Sequence, residues 1–183
     1  LDSVTFEGVS TDTRTLEPGQ LFVALRGDNF DGHRFLHQAR DKGAVGLVVD
    51  RPDGSVDLPQ LVVGDTLDAL ARLAAGNRNE SKAGILAITG SSGKTTVKEM
   101  CAAILSQMGQ TLSTKGNLNN HIGVPLTLFG LSPEHQYGVI ELGASGLGEI
   151  AHTVALAKPR AAILTNAREA HVEGCGSYEN IVL

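Results

Sequence analysis

Residues 85–96 read Ile85-Leu86-Ala87-Ile88-Thr89-Gly90-Ser91-Ser92-Gly93-Lys94-Thr95-Thr96, an apolar run that breaks at two glycines and reopens as a helix. These residue types suit a polyphosphate. Gly90 and Gly93 allow a tight turn whose successive N–H groups converge on one concavity, and Lys94 adds a cation there. Thr95 supplies the kind of hydroxyl that a phosphate-bound magnesium ion takes as a ligand. The helix that follows aims the positive end of its dipole at the same anion. The loop is a shortened variant of G-x-x-x-x-G-K-[ST], since the position five before Gly93 is Ile88 and the first glycine is Gly90. A plain glycine-serine turn beside a solvated lysine is the alternative reading of the same residues.

The loop must be carried by a strand and a helix. Residues 85–88 give the strand, and Val97, Met100, Cys101, Ile104, Leu105 and Met108 recur at the three-and-four spacing of one buried helical face. From Gly84 onward strands and helices alternate, which predicts a parallel sheet with ligands at the strand C-termini. Tyr137-Gly138-Val139-Ile140-Glu141 is a strand ending in a carboxylate, and residues 161–166 form another ending in Thr165 and Asn166. Glu141 is then the natural magnesium partner of Thr95, the alternative being an ordinary solvent-facing glutamate. Residues 115–123 form an amide-rich loop entering a helix with Pro125 in its first turn. Capping needs one asparagine, and Asn117, Asn119 and Asn120 make three, so the surplus points to a ligand. His171 lies just past the strand that ends at Asn166; the other five histidines carry no such signal.

The whole chain has 183 residues, 42% of them hydrophobic, and a net charge of -5. That length suits two small cores, and the acidic balance argues against a general nucleic-acid surface. Cys101 and Cys175 make no disulfide framework or metal cluster, and a reducing, cytoplasmic setting is expected. No apolar run is long enough for membrane insertion. The chain begins at Leu1 and stops in mid-pattern, which suggests a piece of a longer protein. Residues 1–81 read as a small α/β domain: a strand marked by Val4, Phe6 and Val9, a second over 21–25, a short helix around Phe35, Leu36 and Ala39, a third strand over 45–49, a fourth over 61–63, and a helix from Asp65 or Thr66. Residues 76–84 are polar and interrupt both periodicities, which places a joint there and a second domain over 82–183. In the first domain, Thr11-Asp12-Thr13-Arg14 and the loop over 26–33, with Asp28, Asn29 and Phe30, follow strands. Turn chemistry and ligand binding are both open for these loops, with Arg14 a candidate diphosphate contact and Phe30 a candidate face for a base.

Residues 89–96, Gly116-Asn117-Leu118-Asn119-Asn120, Glu141-Leu142-Gly143-Ala144, and Thr165-Asn166 with Ala170-His171-Val172-Glu173-Gly174 closely resemble, in order and spacing, the central domain of the ATP-dependent Mur ligases of peptidoglycan synthesis. Ser10-Thr11-Asp12-Thr13-Arg14, the run over 18–25 and Asp31-Gly32-His33 look like the UDP-binding N-terminal domain of that family's last-acting member. The resemblance implies a small α/β UDP-binding domain followed by an incomplete, parallel-sheet ATP-binding domain of the P-loop type. It implies an amide ligase: ATP phosphorylates the terminal carboxylate of UDP-MurNAc-tripeptide, and the amine of D-Ala-D-Ala attacks the acyl phosphate. Gly90, Ser91, Ser92, Gly93, Lys94, Thr95 and Thr96 would bind ATP, and Thr95, Glu141 and His171 would hold Mg2+, with Lys94, Glu141 and His171 catalytic. Thr11, Asp12, Thr13, Arg14, Asp28, Asn29, Phe30, Asn119, Asn120 and Ser145 would contact the UDP-linked substrate. A monomer is expected, and the piece alone is expected to be inactive, because the family's C-terminal domain and its carbamylated lysine find no counterpart before Leu183. Two other readings stay open on the residues: a Mur-type or folylpolyglutamate synthase-like ligase with another acceptor, and a non-catalytic nucleotide-sugar-binding module.

Overall fold

The computed structural model describes residues 4–27 and 29–167. They divide into two compact units, Leu1–Leu73 and Ala74–Leu183, with the boundary inside one helix.

In the first unit, β1 (Gly8–Ser10), β2 (Gln20–Val23), a hairpin of β3 (Arg26–Gly27) and β4 (Phe30–Asp31), a 3₁₀ turn (Gly32–Phe35) running into α1 (Leu36–Asp41), β5 (Gly46–Val49) and β6 (Gln60–Val62) follow in order, and α2 (Thr66–Glu80) begins in this unit and ends in the second. β1, β2, β5 and β6 make one parallel sheet in that order. Every residue of β5 is buried and β2 is buried but for Gln20, as expected of parallel strands covered on both faces. Phe22, Leu47 and Val49 pack with Leu36 and Ala39 of α1 into its core. The opening strand is shorter than the apolar spacing suggests: Val4 and Phe6 precede it, and Phe6 is 41% exposed. Pairing decides this, because the ladder with β2 starts only at Gly8.

Asp65 starts α2, its carboxylate accepting the N–H groups of Leu67 and Asp68 at 2.7 and 3.1 Å. The helix then runs through Gly76 to Glu80, where the composition predicts a joint. The polar residues there are structural. Asn77 Nδ2 donates to the carbonyls of Leu128 and Leu131, and Arg78 donates to Ala157 O at 2.7 Å and to Lys158 O at 3.2 Å, satisfying carbonyls at two helix ends. Irregular backbone is confined to residues 81–83.

In the second unit, β7 (Gly84–Thr89), α3 (Lys94–Ser106), β8 (Thr111–Ser113), α4 (Gly123–Leu128), β9 (Tyr137–Glu141), α5 (Glu149–Ala157) and β10 (Ala161–Leu164) build a parallel sheet in the order β10-β7-β9-β8. The alternation of strands and helices thus produces the parallel sheet expected of it, with β7 central and its C-terminal end beside that of β9. α3 buries only part of the face that its apolar spacing suggests. Val97, Cys101 and Leu105 pack with Ile88, Ala102 and Val139, whereas Met100, Ile104 and Met108 are 62%, 62% and 64% exposed. Three-and-four spacing fits two adjacent stripes of this helix, and the one nearer Lys98 and Ala102 meets the sheet.

Candidate functional site

The chain leaves β7 at Thr89 and enters α3 at Lys94 through a loop that only glycine can follow. Gly90 has φ +133°, and a Cβ there would collide with the Thr165 hydroxyl and lie 2.9 Å from Asn166 O. Gly93 stands in the left-handed region, φ +80°, as the N-cap of α3. The loop is stitched to the segment after β10. Ser91 N–H donates to Asn166 O, Ser92 N–H to Asn166 Oδ1, and Asn166 Nδ2 returns a bond to Ser92 O at 3.0 Å. Thr165 Oγ1 donates to Ser92 O at 2.7 Å. Thr165 and Asn166, expected to bring polar groups to this edge, thus shape the loop. No side chain caps α3, so its first-turn N–H groups are the donors an anion would meet.

Lys94 folds back, its ammonium donating to Gly90 O at 2.7 Å. Thr95, in the first turn of α3, donates its hydroxyl to Glu141 Oε2 at 3.0 Å. Glu141 ends β9 and is 2% exposed, which removes the solvent-facing alternative. Its other oxygen accepts Asn119 Nδ2 at 2.9 Å, and Asn119 O in turn accepts Gly143 N–H at 2.7 Å. The three asparagines divide the work. Asn120 Oδ1 takes the N–H groups of Ile122 and Gly123 at the start of α4, Asn119 serves Glu141, and Asn117 contributes its carbonyl to Asn119 N–H. Thr96 is exposed on the first turn of α3. Ser145 is exposed too, its N–H donating to Glu149 Oε2 at 2.8 Å. Phosphate loop, Thr95, Asn119 and Glu141 are therefore brought together, as the sequence predicts; His171 lies outside the described residues.

A carboxylate as deeply buried as that of Glu141 ordinarily has a cationic partner, yet its two ligands are a neutral hydroxyl and a neutral amide, and no ion pair reaches it among the described residues. Hard oxygen donors from a carboxylate and a threonine hydroxyl fit magnesium, which keeps waters and phosphate oxygens as its remaining ligands. Among the described residues no group of three or more His, Cys, Asp and Glu could form a self-sufficient metal cage. The site suits an ion shared with phosphates.

In the polar loops of the first unit several side chains are engaged within the fold. Arg14 is bidentate on Asp12 and its side chain is 85% exposed, and Asp12 also accepts Arg14 N–H at 2.8 Å. Thr13 is buried and donates to Gln38 Oε1 at 2.7 Å, tying the loop to α1. Thr11 is half-buried; Asn29 is exposed. Phe30 is 49% exposed and stacks on Phe35 with ring centroids 5.9 Å apart. Asp28 lies outside the described residues. The sequence marks His33 only within the Asp31-Gly32-His33 resemblance and gives its ring no chemical role, but that ring, 6% exposed, sits between two carboxylates: Nδ1–H donates to Asp31 Oδ1 at 2.8 Å, and Nε2, 3.1 Å from Asp50 Oδ1, accepts Asp50 N–H at 3.2 Å. Arg51 pairs with Asp31, and Arg26 with Asp50 at 2.8 Å. Desolvation, the largest single influence on Asp31, would raise its pKa, but the bonds from His33 and Arg51 together outweigh it and hold the group at about 2. On Asp50 the Arg26 bond dominates and lowers the pKa.

Comparison with known proteins places this arrangement. Residues 88–183 match the Mur ligase middle domain, and residues 5–78 match a model described as Mur ligase family, catalytic domain. UDP-N-acetylmuramoyl-tripeptide--D-alanyl-D-alanine ligase of Escherichia coli K12 is 57% identical over 97% of this chain and 39% of its own length, and its Bacillus subtilis 168 counterpart is 41% identical over 98% and 40%. Among solved structures, MurF from Acinetobacter baumannii superposes with a TM-score of 0.90 at 44% identity, covering 95% of this chain and 38% of that one. MurF ligase from Thermotoga maritima in complex with ADP gives 0.87 at 32% identity, covering 100% and 42%. The chain thus spans about two fifths of the length of the curated relatives it matches. With both family models matched in sequence order, the chain belongs to the Mur ligase family.

Proposed function

We propose that this chain is the nucleotide-handling part of an ATP-dependent ligase of peptidoglycan precursor synthesis, one that joins D-Ala-D-Ala to UDP-MurNAc-tripeptide through an acyl phosphate. The observation that carries this reading is Glu141, a buried carboxylate held by neutral donors alone beside a glycine loop and an uncapped helix N-terminus. In it, the N–H groups over 90–96 and the Lys94 ammonium bind the β- and γ-phosphates, and Lys94 leaves Gly90 O to do so. Thr95 and Glu141 hold magnesium, with His171 the further ligand that the family resemblance supplies. Magnesium bound there would offset charge developing on the transferred phosphoryl group. Asn119 orients the Glu141 carboxylate, and Asn120 fixes the start of α4, so that the substrate acyl group meets a preorganised edge.

Residues 1–81 bind the UDP-sugar, with Thr11, Arg14, Asn29 and Phe30 as ligand contacts beside Asp28, and with Asp12 and Thr13 holding the loop in shape. Residues 82–183 bind ATP. The named activity of relatives 41–57% identical, and a family neighbour described in complex with ADP, support this reading. No helix among the described residues is long and apolar enough to cross a membrane. Calorimetry tests the reading directly: the chain is titrated with UDP-MurNAc-tripeptide and, separately, with a non-hydrolysable magnesium-ATP analogue. Saturable binding of both is expected. No binding of the ATP analogue would leave a nucleotide-sugar module and overturn the ligase reading.

A further inference from the structure

Lys98 is 1% exposed, lies one turn beyond the phosphate loop, and among the described residues makes its hydrogen bonds outside the groups assigned to ligands. Burying an ammonium is costly unless its donors are satisfied. Here one bond goes to Thr114 O at 2.7 Å and another to Glu99 Oε1 at 2.7 Å. Thr114, itself 1% exposed, directly follows β8 and continues its pairing with β9 by donating its N–H to Val139 O at 3.0 Å. In a regular parallel ladder the carbonyl of that same residue would accept the N–H of Glu141. It does not. Glu141 N–H donates instead to the Thr114 hydroxyl at 2.9 Å, and the Thr114 carbonyl is turned to Lys98. The ladder ends there, and the chain departs into the loop that delivers Asn119 to Glu141 Oε1.

We infer that Lys98 is a positioning residue for the nucleotide site: by capturing the Thr114 carbonyl it releases the chain after β8 toward Asn119 and leaves a side-chain hydroxyl to hold the Glu141 backbone, fixing the carboxylate opposite Thr95. α3 begins at the phosphate loop, so the same helix sets Thr95 and, three residues on, the carboxylate Thr95 touches. The inference rests on the proposed magnesium-nucleotide role of Thr95 and Glu141.

The test compares the wild-type chain with Lys98→Met, Thr114→Val, Thr114→Ser and the Lys98→Met/Thr114→Val double variant. The reading is the ratio of affinities for a non-hydrolysable ATP analogue with and without magnesium, measured by calorimetry, alongside the hydrogen-exchange rate of the Glu141 amide in the ligand-free protein. General loosening lowers both affinities together, whereas misplacement of Glu141 lowers their ratio. The ratio is expected to fall about tenfold in Lys98→Met and Thr114→Val, as when an outer partner of a metal ligand is removed, and to be kept in Thr114→Ser. The double variant should fall no further than the worse single one. An unchanged ratio in folded Lys98→Met, or additive losses, overturns the proposal. If Lys98→Met does not fold, an unchanged ratio in Thr114→Val overturns it. If the wild type binds no ATP analogue, the nucleotide reading has failed on its own, and amide exchange still decides: an unaltered rate at Glu141 in both single variants sinks the positioning role.

Discussion

In the first unit Asp12, Asp31 and Asp50 each meet an arginine, and Asp31 and Asp50 share a buried histidine ring as well; in the second unit the more deeply buried Glu141 meets a hydroxyl and an amide. The difference separates two uses of charge. Carboxylates answered by cations have their charge settled within the fold, and the lowered pKa values of the three aspartates follow from those partners. A carboxylate buried among neutral donors retains an unmet demand for positive charge, and such a demand sits where a ligand brings the cation. The first unit answers its aspartates with its own arginines, although Asp50 Oδ1 is buried there without a hydrogen-bond partner among the described residues, whereas the second leaves Glu141 in reserve for a cation from outside.

The strongest way to break this contrast is at the reserve site. Lys94→Ala should weaken binding of the ATP analogue by about 2 to 4 kcal/mol, the loss expected for a charge-assisted phosphate contact, while UDP-sugar binding survives because its loops lie in the other unit. Calorimetry with each ligand checks this, and loss of UDP-sugar binding with ATP binding intact would reverse the assignment of ligands to units. Glu141→Gln comes next. It should remove at least about a hundredfold of the magnesium-dependent affinity, about 2.7 kcal/mol, yet leave the melting temperature of the ligand-free chain unchanged or higher, because a neutral amide replaces an unanswered buried charge. A large drop in melting temperature would mean that Glu141 is as structural as the aspartates.

Much of this site could be read from the chain because its chemistry is local. Gly90, Gly93, Lys94 and Thr95 are contiguous, and an apolar run ending in Glu141 predicts a strand that delivers a carboxylate. What the sequence concealed depends on partners far along the chain. Nothing in Val97-Lys98-Glu99 announces that the lysine is buried and Met100 exposed; that follows from Thr114 offering its carbonyl. The ring of His33 looked unremarkable because its meaning comes from Asp50, seventeen residues away just past the end of β5. The polar stretch over 76–80 resembled a linker, since polarity alone cannot distinguish solvation from the helix-end carbonyls that Asn77 and Arg78 satisfy. The β3–β4 hairpin, two residues per strand, is too short to leave a period.

The paired charges of the first unit can be probed by pH. Asp31 titrates at about 2 in the folded chain and near 4 when unfolded, so its contribution to stability is complete above about pH 4 and is lost as pH falls toward 2. Asp12 and Asp50, also lowered, act in the same direction. Denaturant midpoints measured between pH 5 and 2 should therefore decline in the wild type and decline less steeply in Asp31→Asn. Equal slopes would show that the His33 and Arg51 bonds to Asp31 do not survive in solution.

The smallest effect on folding is expected at Arg14, and it separates the two uses of charge within a single residue. Its side chain is 85% exposed, so the pair with Asp12 is screened and Arg14→Ala should leave the melting temperature essentially unchanged. The loop keeps its shape, because Asp12 still accepts the backbone N–H of residue 14 and Thr13 still donates to Gln38. Any loss of UDP-sugar affinity in this variant is then a lost ligand contact rather than a collapsed loop, and a charge-assisted bond to a diphosphate predicts a loss of roughly 1.5 to 3 kcal/mol. Calorimetry with UDP-MurNAc-tripeptide reads it. An unchanged affinity would return Arg14 to the company of Arg26 and Arg51, cations already committed to the fold's own aspartates, and would leave Phe30 and Asn29 to carry recognition at this edge.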